Sequence, residues 1–153
     1  MVKSGVINVG AAGTFIVSKS IKPEKLELEF RRRLPFETEV TICSDSEVLR
    51  LARTKAYDGE PSGPEFVRLI SVLSKRPRLA SALPLSLPFG EEWLVKIVAI
   101  EGRFALGMYR RAMRTIATLG QLEKHLGCSI TTRNWNTFST LFEMLRKSLQ
   151  SKS

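Results

Sequence analysis

Two apolar runs, Trp93–Ile100 and Phe104–Tyr109, are separated by only three residues, Glu101-Gly102-Arg103. A glycine-containing connection this short closes an antiparallel hairpin, because parallel neighbours need a crossover of about a dozen residues or more. The chain must therefore build an antiparallel sheet and find covering for it. Phe66–Ser74, rich in Ile, Val and Leu, predicts a central strand, and Ser129–Arg133 predicts another. Arg76–Leu83 reads as a short helix broken by Pro84 and Pro88. Ile116, Leu119, Leu122, Glu123 and Leu126 form a helical stripe with one polar intruder, ended by Gly127 in a left-handed cap. Phe138, Leu141, Phe142, Leu145 and Leu149 predict a final amphipathic helix. The order is β-α-β-β-α-β and a helix, which is that of a ferredoxin-like plait.

The first part carries fewer elements. Gly5–Val9 and Thr14–Val17 flank Gly10-Ala-Ala-Gly13 and predict a hairpin. Pro23–Phe30 opens a helix with proline in its first turn, and Leu26, Phe30 and Leu34 share one face. Thr38–Cys43 alternates as a strand does. Ser44 with Glu47 is a capping box that starts a helix running to about Ala56. Asp58–Pro64 holds two glycines and two prolines and reads as a linker. The expectation is an α+β chain of two ferredoxin-like (split βαβ) units with antiparallel sheets, the first incomplete. Residues 1–57 form the incomplete half, 58–64 the linker, and 65–153 the second half with its extra helix. One continuous α+β sheet is the alternative.

Composition narrows the class of function. The 153 residues are 43% hydrophobic and 25% charged, which is that of an ordinary globule. Two cysteines do not make a disulfide scaffold, and no apolar run approaches a membrane span. The opening residues lack a signal-peptide core, so a cytoplasmic location without membrane partners is expected. The formal net charge is +9. Residues 1–64 carry ten basic and nine acidic side chains, whereas residues 65–153 carry fourteen and six. The excess thus belongs to the second half, chiefly to the acid-free runs Lys75-Arg76-Pro77-Arg78 and Arg103 to Arg114. Arg31-Arg32-Arg33 is offset by Glu24, Glu27 and Glu29 at helical spacing. A polyanion, either nucleic acid or a phosphorylated small molecule, is the partner this implies.

No catalytic motif appears. The single histidine, His125, sits in the last turn of a predicted helix, where a cation favours the helix dipole. Cys-x-x-Cys, His-Glu-x-x-His, P-loop and nucleophile-elbow patterns are absent, so no metal or cofactor is implied. Cys43 and Cys128 read as small buried residues, and Glu37 with Glu39 as a solvated strand edge. Gly10–Gly13 precedes a strand rather than a helix, which favours a turn over a phosphate loop.

Two places hold candidate binding residues. On a strand, Arg103, Ala105, Gly107, Tyr109 and Arg111 share one face, and Arg with Tyr on an open sheet face suits single-stranded nucleic acid. At Thr131–Thr137, two threonines end a strand, and Asn134 or Asn136 suits a helix N-cap. Trp135 is placed to wedge between helix and sheet. Arg133 with Asn134 and Asn136 makes an anion or carbonyl clamp, for a binding module or for an enzyme acting on a small anionic substrate.

Thr131-Thr-Arg-Asn-Trp-Asn-Thr137, followed by an amphipathic helix, resembles the C-terminal signature of a bacterial family of uncharacterised proteins, domain of unknown function 1697. The resemblance extends through Leu119–Gly127 and to Gly13–Ser18, which is similar to that family's SGNVVF strand, and it covers most of the chain. It implies two ferredoxin-like halves and supplies no catalytic residues. Relative to that pattern, a strand and helix ahead of the first hairpin are missing. A sheet short of one strand exposes an edge, so a homodimer through that edge, or rearrangement of Gly5–Val9, is expected.

Overall fold

A computed structural model describes residues 6–9, 13–17, 22–34, 40–78 and 82–151. The chain is α+β, with four helices and two antiparallel sheets among these residues. The large sheet is built from β3 (Phe66–Leu73), β4 (Leu85–Leu87), β5 (Val95–Glu101), β6 (Phe104–Arg110) and β7 (Ile130–Asn134), in the order β4-β5-β6-β3-β7. The hairpin from β5 to β6 turns at Gly102, whose φ of +60° suits a residue without Cβ. Gly107 lies where β5 bulges between Ile97 and Ala99, and a methyl there would overlap the Lys96 carbonyl oxygen.

Both faces of this sheet are covered, and strand alternation decides which residue meets which cover. Ile70, Val72, Phe104, Leu106 and Met108 face a core completed by Phe138, Leu141 and Phe142 of α4 (Trp135–Ser151) and by Val48 and Leu51 of α2 (Asp45–Leu51). Leu69, Leu73, Val95, Ile97 and Ala105 face a second core closed by Leu122 and Leu126 of α3 (Thr115–Leu126) and by Leu85 and Leu87 of β4. A strand buried on both faces needs a continuous apolar run, and β3 and β6 supply one.

The N-terminal residues join the first core instead of making a core of their own. β1 (Val6–Val9) pairs antiparallel with β2 (Thr14–Val17), as the sequence predicts, while Gly5 and Gly10–Ala12 lie outside the described residues. Val9 is buried with the α4 side chains and Ile16 packs beside it. On the outer side Phe15 meets Phe30 of α1 (Pro23–Arg33) at 5.9 Å.

Several expected elements are corrected. Residues 40–43 form no strand; Thr41 instead meets Thr131 of β7 through their hydroxyls at 3.0 Å. Thr38, Glu37 and Glu39 lie outside the described residues. Helix α2 has the capping box but ends at Leu51, five residues short of Ala56, because Tyr57 turns inward and its hydroxyl donates to the Leu69 carbonyl at 2.7 Å. Of the helix expected at Arg76–Leu83, residues 76–78 and 82–83 are not helical, and 79–81 lie outside the described residues. The Arg78 amide there donates to the Leu126 carbonyl, tying the crossover to the end of α3. The α3 stripe is rotated by about one residue: Thr115, Thr118, Leu122 and Leu126 are buried, while Ile116 is 81% exposed. Gly127 is the left-handed cap, with φ of +70°.

Candidate functional site

The 58–64 segment is held at its ends. Glu60 pairs with Lys96 at 2.8 Å, and the Pro64 carbonyl accepts from Arg111 Nε at 2.9 Å. Pinned in this way, its Pro61, Ser62 and Gly63 form one wall of a cleft of about 230 Å³. The start of β3 supplies Phe66, Val67 and Arg68, the end of β6 supplies Met108 and Arg111, and the β7–α4 corner supplies Asn134, Trp135 and Asn136. The cleft therefore has an apolar floor and a rim of two guanidinium groups and two amides.

No carboxylate lines it. The seven ion pairs among the described residues include neither Arg68 nor Arg111. Arg68 lies over the Tyr57 ring, 4.9 Å from its centroid, and that contact orients the guanidinium without neutralising it. Tyr57 is itself fixed from below, and burial pushes its phenol well above the ordinary tyrosine value. Arg111 spends its Nε on Pro64, which leaves the outer edge of the guanidinium for a ligand.

The corner is rigid for local reasons. Asn134 Oδ1 accepts from the Thr137 amide at 3.0 Å, so Asn134 is the N-cap of α4 and its Nδ2 is left to donate. The Trp135 ring meets Tyr57 at 5.4 Å and Phe142 at 5.6 Å, both edge-on. Asn136 is exposed, and its carbonyl accepts from Thr140 Oγ1 at 3.1 Å.

Three of the six residues singled out from sequence, Arg111, Asn134 and Asn136, meet in this cleft. The other three do not line it. Arg133 points to the first core's face of β7, where its Nε donates to Thr14 Oγ1 at 3.0 Å and its Nη1 to the Thr132 carbonyl at 2.8 Å. The first of these bonds ties the N-terminal hairpin to the sheet. Arg103 lies in the turn before β6 and donates to the Ile42 carbonyl and, at 3.3 Å, to Cys43 Sγ. It also lies 3.6 Å from Glu47. Burial pushes the Cys43 thiol up, an effect partly offset by that bond from Arg103.

Tyr109 is half-buried against the second core, and Ala105 and Gly107 beside it are fully covered. The expected open face from Arg103 to Arg111 is thus interrupted by α3 packing on the sheet. Periodicity identified which residues share a face but not that a helix lies on it.

Arg68 lies outside the residues that periodicity and motif single out. Its signal is a lone charge inside the otherwise apolar run Phe66-Val-Arg-Leu-Ile70, where a charged side chain needs a partner or an opening. Among the described residues no group of three or more His, Cys, Asp or Glu is placed to hold a metal, and no helix is long and apolar enough to cross a membrane. No family model, curated protein or solved structure matches the chain.

Proposed function

We propose that the protein is a binding module for a small organic anion, a carboxylate or phosphate on a compact apolar or aromatic body, seated in the cleft between Arg68, Arg111, Asn134 and Asn136. The observation that carries this reading is two guanidinium groups, without a carboxylate partner among the described residues, lining one cleft with apolar side chains. Guanidinium edges match the planar oxygens of a carboxylate or phosphate, and the amide groups add neutral donors beside them. Phe66, Val67 and Trp135, each partly exposed, offer the apolar contact that distinguishes an organic anion from a free ion. The volume suits a ligand smaller than a dinucleotide.

Calorimetric titration with inorganic phosphate and with phenyl phosphate tests the reading. Phenyl phosphate binds more tightly, by about tenfold for roughly 1.4 kcal/mol of apolar contact, and Arg111→Ala weakens both. Equal heats from the wild-type and Arg68→Ala/Arg111→Ala proteins would overturn it.

Two further readings rest on the same architecture. We read β7-β3-β6-β5, all antiparallel, as a ferredoxin-like plait whose first crossover runs through β4 and without a helix among the described residues. That reading and the corner at Thr131–Thr137 support kinship with the domain of unknown function 1697. A homodimer through a sheet edge is supported by the two-stranded β1–β2 sheet, whose outer edges pair with no other strand among the described residues. Light scattering after size exclusion decides it, and a monomer mass would remove it.

A further inference from the structure

We infer that single-stranded nucleic acid docks on the last turn of α3. Three chain segments converge there. The Ser74 amide donates to the Ser129 carbonyl at 2.9 Å and the Arg78 amide to the Leu126 carbonyl at 2.8 Å. These bonds hold the segment carrying Lys75, Arg76 and Arg78 against the C-terminal end of α3, the turn that also carries Lys124, and all four residues are exposed. The Arg78 stem lies against Gly127, where an added Cβ would sit 3.3 Å away. From the third segment, the Phe89 ring meets His125 at 5.2 Å and 81°.

Like Arg68 and Arg111 of the cleft, these cations are not neutralised by an ion pair among the described residues, whereas Arg31, Arg32, Arg33, Lys96, Arg103, Arg110 and Arg114 all have a carboxylate partner. The nearest carboxylate in the sequence of the turn, Glu123, accepts from the Ile130 amide. Four exposed cations against the single carboxylate of Glu123 leave a net positive patch, which is a phosphate-backbone footprint.

Phe89 assigns the single strand. It is 63% exposed in the turn before Gly90, and an edge-to-face contact with His125 engages at most one face of its ring. A flat, exposed ring against the same helix turn that carries Lys124 is what unpaired bases stack on, while a duplex keeps its base faces hidden. The basic strand expected for this role, Arg103 to Arg111, has its middle covered by α3. The acid-free run Lys75-Arg76-Pro77-Arg78 takes its place.

Fluorescence anisotropy of a labelled oligothymidylate of about twelve nucleotides tests the proposal against a duplex of equal length and against anionic lipid vesicles. Log affinity falls with log salt with a slope of about −2 to −3, as three to four phosphate contacts on a single strand require. Lys75→Ala/Arg76→Ala/Arg78→Ala brings the slope to about −1 or shallower. Phe89→Ala weakens oligothymidylate at least about fivefold and leaves the slope unchanged, which a purely structural role for the ring would not do. All four substitutions are at exposed positions, and unchanged circular dichroism confirms the fold. No binding at low salt, a slope indifferent to the triple variant, or tighter binding to duplex or vesicles would each overturn the proposal.

Discussion

Helices α1 and α4 look alike in sequence, each with apolar residues at helical spacing and charges elsewhere, yet they occupy opposite situations. Helix α4 buries Phe138, Leu141 and Phe142 against the sheet, whereas α1 has no buried residue and Leu28 is 62% exposed. Their surroundings differ in charge as well. The three arginines of α1 pair with Glu27 and Glu29 on the same helix. The two arginines beside the start of α4, Arg68 and Arg111, have no carboxylate among the described residues. Amphipathicity reports that a helix has a face to bury, not what it is buried against. Likewise, an arginine's worth as a binding group depends on whether a neighbour has already neutralised it.

The contrast is broken most forcefully through packing. Phe138→Ala is expected to cost about 3–5 kcal/mol of unfolding free energy in urea or guanidinium titrations, since it removes a ring that also contacts Phe104 and Phe142. Leu28→Ala in α1 should stay within about 0.5 kcal/mol. Similar losses from both would mean that α1 is embedded after all.

A smaller effect separates the helix starts. Asn134→Ala removes the cap of α4 and should cost about 1 kcal/mol. Lys22, at the corresponding position of α1, makes no side-chain cap bond, and Lys22→Ala should leave thermal stability unchanged.

A third test uses pH. The unfolded Tyr57 phenol ionises near pH 10, but the folded one is held neutral above that by burial. The unfolded chain then binds fewer protons than the folded chain, so stability falls as pH rises past about 10. Tyr57→Phe should flatten that decline in alkaline unfolding curves. It also gives up the bond to the Leu69 carbonyl, at about 1 kcal/mol near neutral pH.

Smallest of all, Arg31→Ala should change stability by no more than about 0.5 kcal/mol, because its partner Glu27 is a surface residue at i−4. A larger loss would show that the α1 charges hold tertiary structure.

The sequence made the antiparallel sheet, its hairpins and α4 legible, because turn glycines and apolar spacing act locally. It concealed what long-range contacts decide. Ile116 belongs to the predicted α3 stripe, but the helix packs through Thr115 and Thr118, so that Ile116 faces outward. Tyr57 ends α2 early for the sake of a bond to β3. The candidate cleft was half legible. Asn134 and Asn136 announce a helix start, and Arg111 belongs to a visible basic run. Arg133 shares their motif yet turns to Thr14, more than a hundred positions away in the chain, and Arg68 reaches the rim through strand pairing opposite Met108. Neither alternation nor composition reports which strand end meets which loop.

The most direct measurement is thermal unfolding in sodium phosphate and in sodium chloride at equal ionic strength, with the wild-type, Arg68→Ala/Arg111→Ala and Arg31→Ala/Arg33→Ala proteins. At phosphate about ten times its dissociation constant, the wild-type and α1-variant midpoints should rise by about 3–5 °C relative to chloride, and that of the cleft variant should not rise. An equal rise in all three, or none in the wild type, would contradict the assignment of the cleft as an anion site.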